Sequence, residues 1–276
     1  MMMELRDFQF LEAVADTGSV TRAADRLGCV QSNVTTRLKK LEGRLGQKLV
    51  ERIDGRMVPT AAGQLALDYG GRIQRLAAEA EGQLRAAGEA WPPVRLGVME
   101  TTAAVRLPPL LKRVRMDMPG LRLGLHTGTS GDLMADLRRG TLDLAFVAED
   151  AADPRFEAAP LWDEHLVEVR GTGEDVDAAL VVFREGCSYR ERGREALGDR
   201  PLMELGTLDG IIGCVAAGLG VTLLPEAAVE RWVRLGEITT HALPPEQAHV
   251  RTLAQWRRGS PAERSIEALV AAVREG

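Results

Sequence analysis

Residues 19–45 constrain this chain more than any other stretch: Ser-Val-Thr-Arg-Ala-Ala-Asp-Arg-Leu-Gly-Cys-Val-Gln-Ser-Asn-Val-Thr-Thr-Arg-Leu-Lys-Lys-Leu-Glu-Gly-Arg-Leu. They predict two helices meeting at a sharp angle. Ser19 is a good N-cap for the first helix, and Gly28 after Leu27 is a stop signal. Ala23 and Ala24 are small enough to let a second helix cross close by. That helix starts near Gln31. Val34, Leu38, Leu41 and Leu45, at spacings of 4, 3 and 4, form one narrow buried stripe. Ser32, Thr36, Lys39 and Lys40 fall on the opposite face, flanked by Asn33, Thr35 and Arg37. Such a face suits the floor of a DNA major groove, because amides and hydroxyls read base edges while cations neutralise phosphates. A solvated amphipathic helix would carry the same pattern, so the remainder of the chain has to decide.

Charge separates along the chain. Residues 19–56 hold nine Lys or Arg against four Asp or Glu, a local charge of +5, whereas the whole chain carries −5. A basic module on an acidic body is the asymmetry of a DNA-binding head. The three cysteines, Cys29, Cys187 and Cys214, form no close pair, which points to free thiols in a reducing cytoplasm. The four histidines, at 126, 165, 241 and 249, have no metal-ligand spacing, so no metal is expected, and with no P-loop or dinucleotide fingerprint in the chain no organic cofactor is expected either. The N-terminus has no apolar signal core, and no stretch reads as a membrane span.

Leu5, Phe8, Leu11, Val14 and Ala15 predict a supporting helix over residues 4–16. Beyond Leu45, Asp54-Gly55 is a hairpin-turn signal inside Leu49–Thr60. The two short strands make either an ordinary hairpin or a wing, and two arginines beside a basic helix, Arg52 and Arg56, favour a wing that reaches phosphates. A long helix follows from Thr60 to about Ala90. Its stripe of Tyr69, Ile73, Leu76, Ala80, Leu84 and Ala87 would be exposed on a lone helix, and either pairing with a second copy or packing on its own chain would bury it. Trp91-Pro92-Pro93 ends it.

The run Leu5…Phe8…Ser19…Ala23-Ala24…Leu27…Gln31-Ser32…Val34-Thr35…Leu38…Leu41-Glu42…Leu45-Gly46…Leu49…Arg52…Thr60…Gly63 strongly resembles the winged helix-turn-helix of LysR-type transcriptional regulators. The family often has Pro-Ala where this chain has Ser32-Asn33, and usually Ser where Thr35 stands. Both departures keep hydrogen-bonding capacity near the helix start and bear on which DNA sequence is read. The resemblance implies DNA contacts from Gln31, Ser32, Asn33, Thr35, Thr36, Arg37, Lys39, Lys40, Arg52 and Arg56, and a linker helix that joins subunits.

From Val94 onward, short apolar runs alternate with helical patterns. Strands are predicted at Val94–Met99, Leu121–Leu125 and Leu142–Val147, with helices at Ala103–Met116 and Asp132–Arg139 between them. The alternation resumes with strands at Ala179–Phe183, Pro201–Leu205 and Val221–Leu224, and helices at Tyr189–Leu197 and Leu208–Ala217. Trp162–Arg170 and Val250–Trp256 connect the halves, and a last helix runs from Ala262 to about Val273. The run Thr129-Ser130…Gly140-Thr141-Leu142-Asp143-Leu144-Ala145-Phe146 and the run Val215-Ala-Ala-Gly-Leu-Gly-Val-Thr-Leu-Leu-Pro225 also resemble the LysR family, and the resemblance weakens after about Glu230.

The expected fold class is therefore α/β: a winged helix-turn-helix (1–60), a linker helix (61–90) and a two-lobed α/β effector domain resembling periplasmic binding proteins (91–276). Lobe I covers about 94–161 and 257–276, and lobe II about 171–249. Hydroxyl residues gather where strands end and helices begin: Thr101, Thr102, Thr129, Ser130, Ser188 and Thr207. Each can cap its own helix, or the set can hold a polar or anionic effector. Arg184 and Arg190 flank Gly186-Cys187-Ser188 and could meet an anion or simply be solvated.

The function expected is a DNA-binding transcriptional regulator modulated by a small-molecule effector of unknown identity. Its expected partners are a two-fold related double-stranded operator, itself as dimer or tetramer, and RNA polymerase, with no membrane. Two alternatives stay open: a thiol-based sensor using Cys187 or Cys214, and a cytoplasmic solute-binding module without a DNA-reading role. No Gly-x-Ser-x-Gly elbow, P-loop or His-Glu-x-x-His motif appears, so an enzyme is not expected.

Overall fold

The structure, a computed structural model, describes residues 4–86, 90–173 and 179–274. The chain divides into two compact units, residues 1–85 and 86–276.

The first unit opens with helices α1 (Leu5–Thr17), α2 (Val20–Arg26) and α3 (Gln31–Leu45). Their apolar stripes meet in one core of Leu11, Val14, Ala23, Val34, Leu38, Leu41 and Leu49. Ala23 is fully buried at the α2–α3 crossing, where a larger side chain would force the helices apart. Strands β1 (Val50–Ile53) and β2 (Arg56–Pro59) pair antiparallel as the wing. Asp54 (φ 49°) and Gly55 (φ 78°) both lie in the left-handed region, as a two-residue hairpin turn of the I′ kind requires. The Met57 N–H donates to the Gly18 carbonyl at 2.9 Å and docks the wing on the α1–α2 junction. Helix α4 (Ala61–Ala86) is capped by Thr60, whose Oγ1 accepts from the Gly63 N–H at 3.0 Å. Two glycines let α4 approach its neighbours. A Cβ at Gly63 would lie 1.9 Å from the Leu49 carbonyl oxygen, and one at Gly70 would lie 2.4 Å from the Phe8 ring. The helix stops short of the expected Ala90, which is not helical, and Ala87 lies outside the described residues.

The second unit is built on one nine-stranded mixed sheet. Its first lobe holds β3 (Val94–Met99), α5 (Glu100–Val105), α6 (Leu107–Asp117), β4 (Leu123–Gly128), α7 (Ser130–Arg139) and β5 (Leu144–Ala148). A short 3-10 turn, Glu149–Ala151, leads into β6 (Glu157–Gly171). The second lobe holds β7 (Ala179–Phe183), α8 (Ser188–Leu197), β8 (Leu202–Leu205), α9 (Leu208–Ala216), β9 (Gly220–Pro225), α10 (Glu226–Arg234), β10 (Ile238–Ala242) and α11 (Pro245–Ala248). Strand β11 (His249–Trp256) returns to the first lobe, and α12 (Glu263–Arg274) packs there.

The strand order is β4-β3-β5-β11-β6-β9-β7-β8, with β10 also on β6. Strands β3, β4 and β5 are parallel, as are β7, β8 and β9. The long strand β6 pairs with β11 in its first half and with β9 and β10 in its second, so it belongs to both lobes. One apolar core runs through both lobes, from Met99, Leu133 and Val147 to Ile211, Val215 and Leu223.

Several expectations need correction. The helix expected over Ala103–Met116 is two helices that break at Arg106, because Pro108 and Pro109 lack the N–H groups a continuous ladder needs. Strand β4 starts two residues later than expected, after a turn in which the Leu121 N–H donates to the Met118 carbonyl at 3.1 Å. Helix α7 starts two residues earlier, with Thr129 as its cap. Elements α10, β10 and α11 were not anticipated from the sequence between Pro225 and Val250.

Candidate DNA-reading face and ligand cleft

On α3, Gln31, Ser32, Asn33, Thr36, Lys39 and Lys40 are exposed while Val34, Leu38 and Leu41 are buried. The helical face expected from the sequence matches this burial at three of its four stripe positions; Leu45, expected in the buried stripe, is 38 % exposed, because it is the last residue of α3 before Gly46. Thr35 is half-buried, and its hydroxyl donates to the Gln31 carbonyl at 3.1 Å, which leaves less of it free for a base. Lys39, Lys40, Arg52 and Arg56 have no ion-pair partner among the described residues, whereas Lys48 pairs with Glu42 at 2.8 Å. Unpaired cations are the ones able to exchange solvent for phosphate at small cost. Arg52 and Arg56 are exposed on the wing, and the Arg56 guanidinium rests over Gly18.

Arg37 departs from its expected DNA-facing role. It turns toward α1, where its Nε donates to Asp7 at 3.0 Å and its other arm pairs with Glu4. Arg44 grips the same Asp7. Burial of Asp7 opposes its ionisation, but the Glu4 N–H and the two guanidinium groups outweigh it and hold the carboxyl below its usual range. Helical periodicity places Arg37 on the flank of α3, and only the tertiary partner on α1 decides which way it points.

In the second unit, a cleft of about 250 Å³ opens where strands β3, β4 and β7 end. Met99, Thr101, Thr127, Thr129 and Ser130 line it from one lobe, and Phe183, Arg184, Cys187 and Tyr189 from the other. Ligands in open α/β sheets sit at this end of parallel strands. The Ser130 hydroxyl is committed internally: it donates to Met99 Sδ at 3.1 Å and accepts from the Ala148 N–H at 3.2 Å. Thr129 Oγ1 accepts from the Asp132 N–H at 3.2 Å, which leaves its proton available. Thr101 is different. It is 3 % exposed, and its Oγ1 has no hydrogen-bond partner. Its hydroxyl does act on Tyr189: burial pushes that phenol up, and Thr101 only partly offsets the shift. A buried hydroxyl without a partner is costly, and a ligand atom in the cleft would relieve that cost.

Three expected effector residues do not line the cleft. Thr102 is buried next to Arg106 and Glu164, because one step along a helix turns the side chain about 100° away from Thr101. Thr207 is exposed and caps α9 by accepting from the Gly210 N–H at 3.2 Å. Ser188 is half-buried at the start of α8 and lies outside the lining. Sequence reasoning missed Met99, Phe183 and Tyr189. Met99 and Phe183 are the last residues of parallel strands, which was the available signal.

The lobes touch beside the cleft. The Gly131 N–H donates to the Gly186 carbonyl at 2.9 Å, and Arg184 pairs with Asp132 at 3.0 Å. Arg190 pairs with Glu204 and is not among the residues that line the cleft. Burial pushes the Cys187 thiol up, against the pull of the Tyr189 and Arg190 N–H groups. A reactive thiolate needs the opposite setting.

The sequence matches the domain described as LysR substrate binding domain over residues 88–276, and the bacterial regulatory helix-turn-helix protein, lysR family, over residues 5–64. The chain belongs to the LysR family of transcriptional regulators. It is 38 % identical over 260 residues to the uncharacterised HTH-type transcriptional regulator YusT of Bacillus subtilis, covering 91 % of this chain and 88 % of that protein. It is 31 % identical to the HTH-type transcriptional regulator GltR of Bacillus subtilis, covering 99 % and 97 %. Among solved structures, CbnR, a LysR family regulator also determined with its target DNA, superposes with a TM-score of 0.73 at 22 % identity over 99 % of each chain. A full-length OxyR variant from Pseudomonas aeruginosa gives a TM-score of 0.65 at 24 % identity, covering 99 % and 95 %. This LysR-type protein is thus a DNA-binding transcriptional regulator that carries an effector-binding domain. No helix among its described residues is long and apolar enough to cross a membrane.

Proposed function

We propose that this regulator acts in the cytoplasm as a dimer or tetramer paired through α4, and binds a two-fold related operator beside RNA polymerase. A small polar or anionic effector in the cleft changes the spacing of the DNA-binding heads or the bend of the DNA. The observation that carries DNA reading is the exposed polar face of α3 with its unpaired Lys39 and Lys40. Lys40→Ala is expected to weaken binding to all duplex sequences and to lower the slope of log affinity against log salt by about one unit. Filter-binding titrations across a salt series measure this, and an unchanged slope would remove Lys40 from the interface.

The effector reading rests on Thr101, the buried hydroxyl without a partner at the cleft. A ligand shifts a regulator only by its different affinity for two states, and an unmet hydroxyl between two lobes supplies such a difference. Without ligand, Thr101→Val removes an unsatisfied polar atom at nearly constant volume, so stability should rise by about 1 kcal/mol. The thermal midpoint of the second unit should then rise by about 2–4 °C. A drop of similar size would mean that the hydroxyl already has a partner.

A further inference from the structure

Val30 stands out on the DNA-binding module. It is 68 % exposed, the most exposed large apolar residue among the described residues before α4. It is also the N-cap of α3, with φ −80° and ψ 148°, and its side chain makes no capping bond. Ser19 and Thr60 show what this chain does elsewhere: each accepts from an N–H of the helix it precedes. At Val30 the helix start forgoes that bond, since an isopropyl group cannot accept one. Nor does burial compensate, because the side chain packs on nothing that would hide it. Neither local helix stability nor the core accounts for a valine here.

Its position offers an account. Val30 directly precedes Gln31, Ser32 and Asn33, all exposed at the same end of the helix. In helix-turn-helix proteins the N-terminal residues of the second helix approach the base edges. Only one base presents an apolar group in the major groove, thymine with its C5 methyl. We propose that Val30 reads sequence, packing its isopropyl group against the C5 methyl of a thymine while its polar neighbours take hydrogen bonds. The inference rests on the DNA-reading role of α3 and adds a base preference to it.

The test uses the full chain. Duplexes are enriched from a randomised pool by the parent protein, and each thymine of the best duplex is replaced in turn by deoxyuridine, which removes only the methyl. One thymine per half-site should show a loss of about four-fold in affinity, the worth of one methyl withdrawn from water. Val30→Ser should bind thymine and deoxyuridine equally at that position and keep the parent's salt slope. This variant restores a capping hydroxyl, so its thermal midpoint should equal or exceed the parent's, and misfolding cannot mimic the result. Enriched duplexes with no methyl effect at any thymine would overturn the assignment of Val30 alone, as would a Val30→Ser protein that keeps the parent's methyl effect. Failure to enrich any duplex would instead overturn DNA reading by α3 and the Val30 inference with it.

Discussion

Gly63→Ala should destabilise the DNA-binding module by about 3 kcal/mol, the upper part of the range for overpacking. Two opposite effects meet at this site. Glycine inside a helix costs roughly 1 kcal/mol relative to alanine, so propensity alone predicts a gain. The added Cβ, however, would lie 1.9 Å from the Leu49 carbonyl oxygen, a backbone atom that no rotamer change can move. That carbonyl also accepts the Thr60 N–H at 3.0 Å, and the Leu49 N–H is held by buried Glu42 at 3.0 Å. Moving α4 outward breaks the first bond and strains the second, so sterics win. The melting point of the module should fall by more than about 10 °C. Faster amide exchange at Leu49 and Thr60 would localise the damage. Gly43→Ala is the matched control, because its Cβ would meet nothing within 4 Å. That change should be neutral or stabilising for the fold. A Gly63→Ala protein that melts with the parent would show that α4 and the Leu49 backbone do not approach this closely.

Leu76→Asp should leave monomers at micromolar concentration and lower operator affinity by about 100-fold or more, the usual worth of tethering two binding modules. Along α4, Leu65, Tyr69, Ile73, Leu76 and Leu84 are 59, 53, 40, 66 and 78 % exposed. A row of large apolar groups facing water is the mark of an interaction surface. Two-fold pairing would bury Leu76 twice, at roughly 1.5–3 kcal/mol for each fully buried leucine. The aspartate would place a charge there instead. Sedimentation velocity reads the association state, and half-site against full-site duplexes read the tethering. A variant that sediments like the parent would place the subunit contact elsewhere.

The exposed stripe on α4 was legible because a helix repeats every 3.6 residues and the apolar positions follow that repeat. The recognition helix was legible for the same reason, and so were the six parallel strands, as apolar runs between helical patterns. Arg37 was not, since its direction depends on Asp7, thirty positions away and two helices earlier. The α5–α6 break was written in Pro108-Pro109 but masked by the continuous apolar spacing around it. Among the hydroxyls at helix starts, sequence could not separate the cap at Thr207 from the partnerless group at Thr101. Both are threonines at the beginning of a helix, and only the packing of the second lobe distinguishes them. In the sequence Phe183 only ends a strand and Tyr189 only starts a helix, and both are largely buried even where they face the cleft.

Strand β6 runs through both lobes, β11 returns from the second lobe to the first, and one apolar core spans them. Neither lobe can then lose its structure while the other keeps its own, so the second unit should melt in a single step. A cooperative body reports ligand occupancy everywhere at once. A compound held at a hundred times its Kd stabilises the folded state by about 2.7 kcal/mol. In a body of this size that lifts the midpoint by roughly 5–10 °C. Screening metabolites by heat resistance would therefore find the effector without any knowledge of operator or target gene. Protection of α12, more than a hundred positions beyond Ser130 in sequence, would announce binding as clearly as the cleft residues themselves.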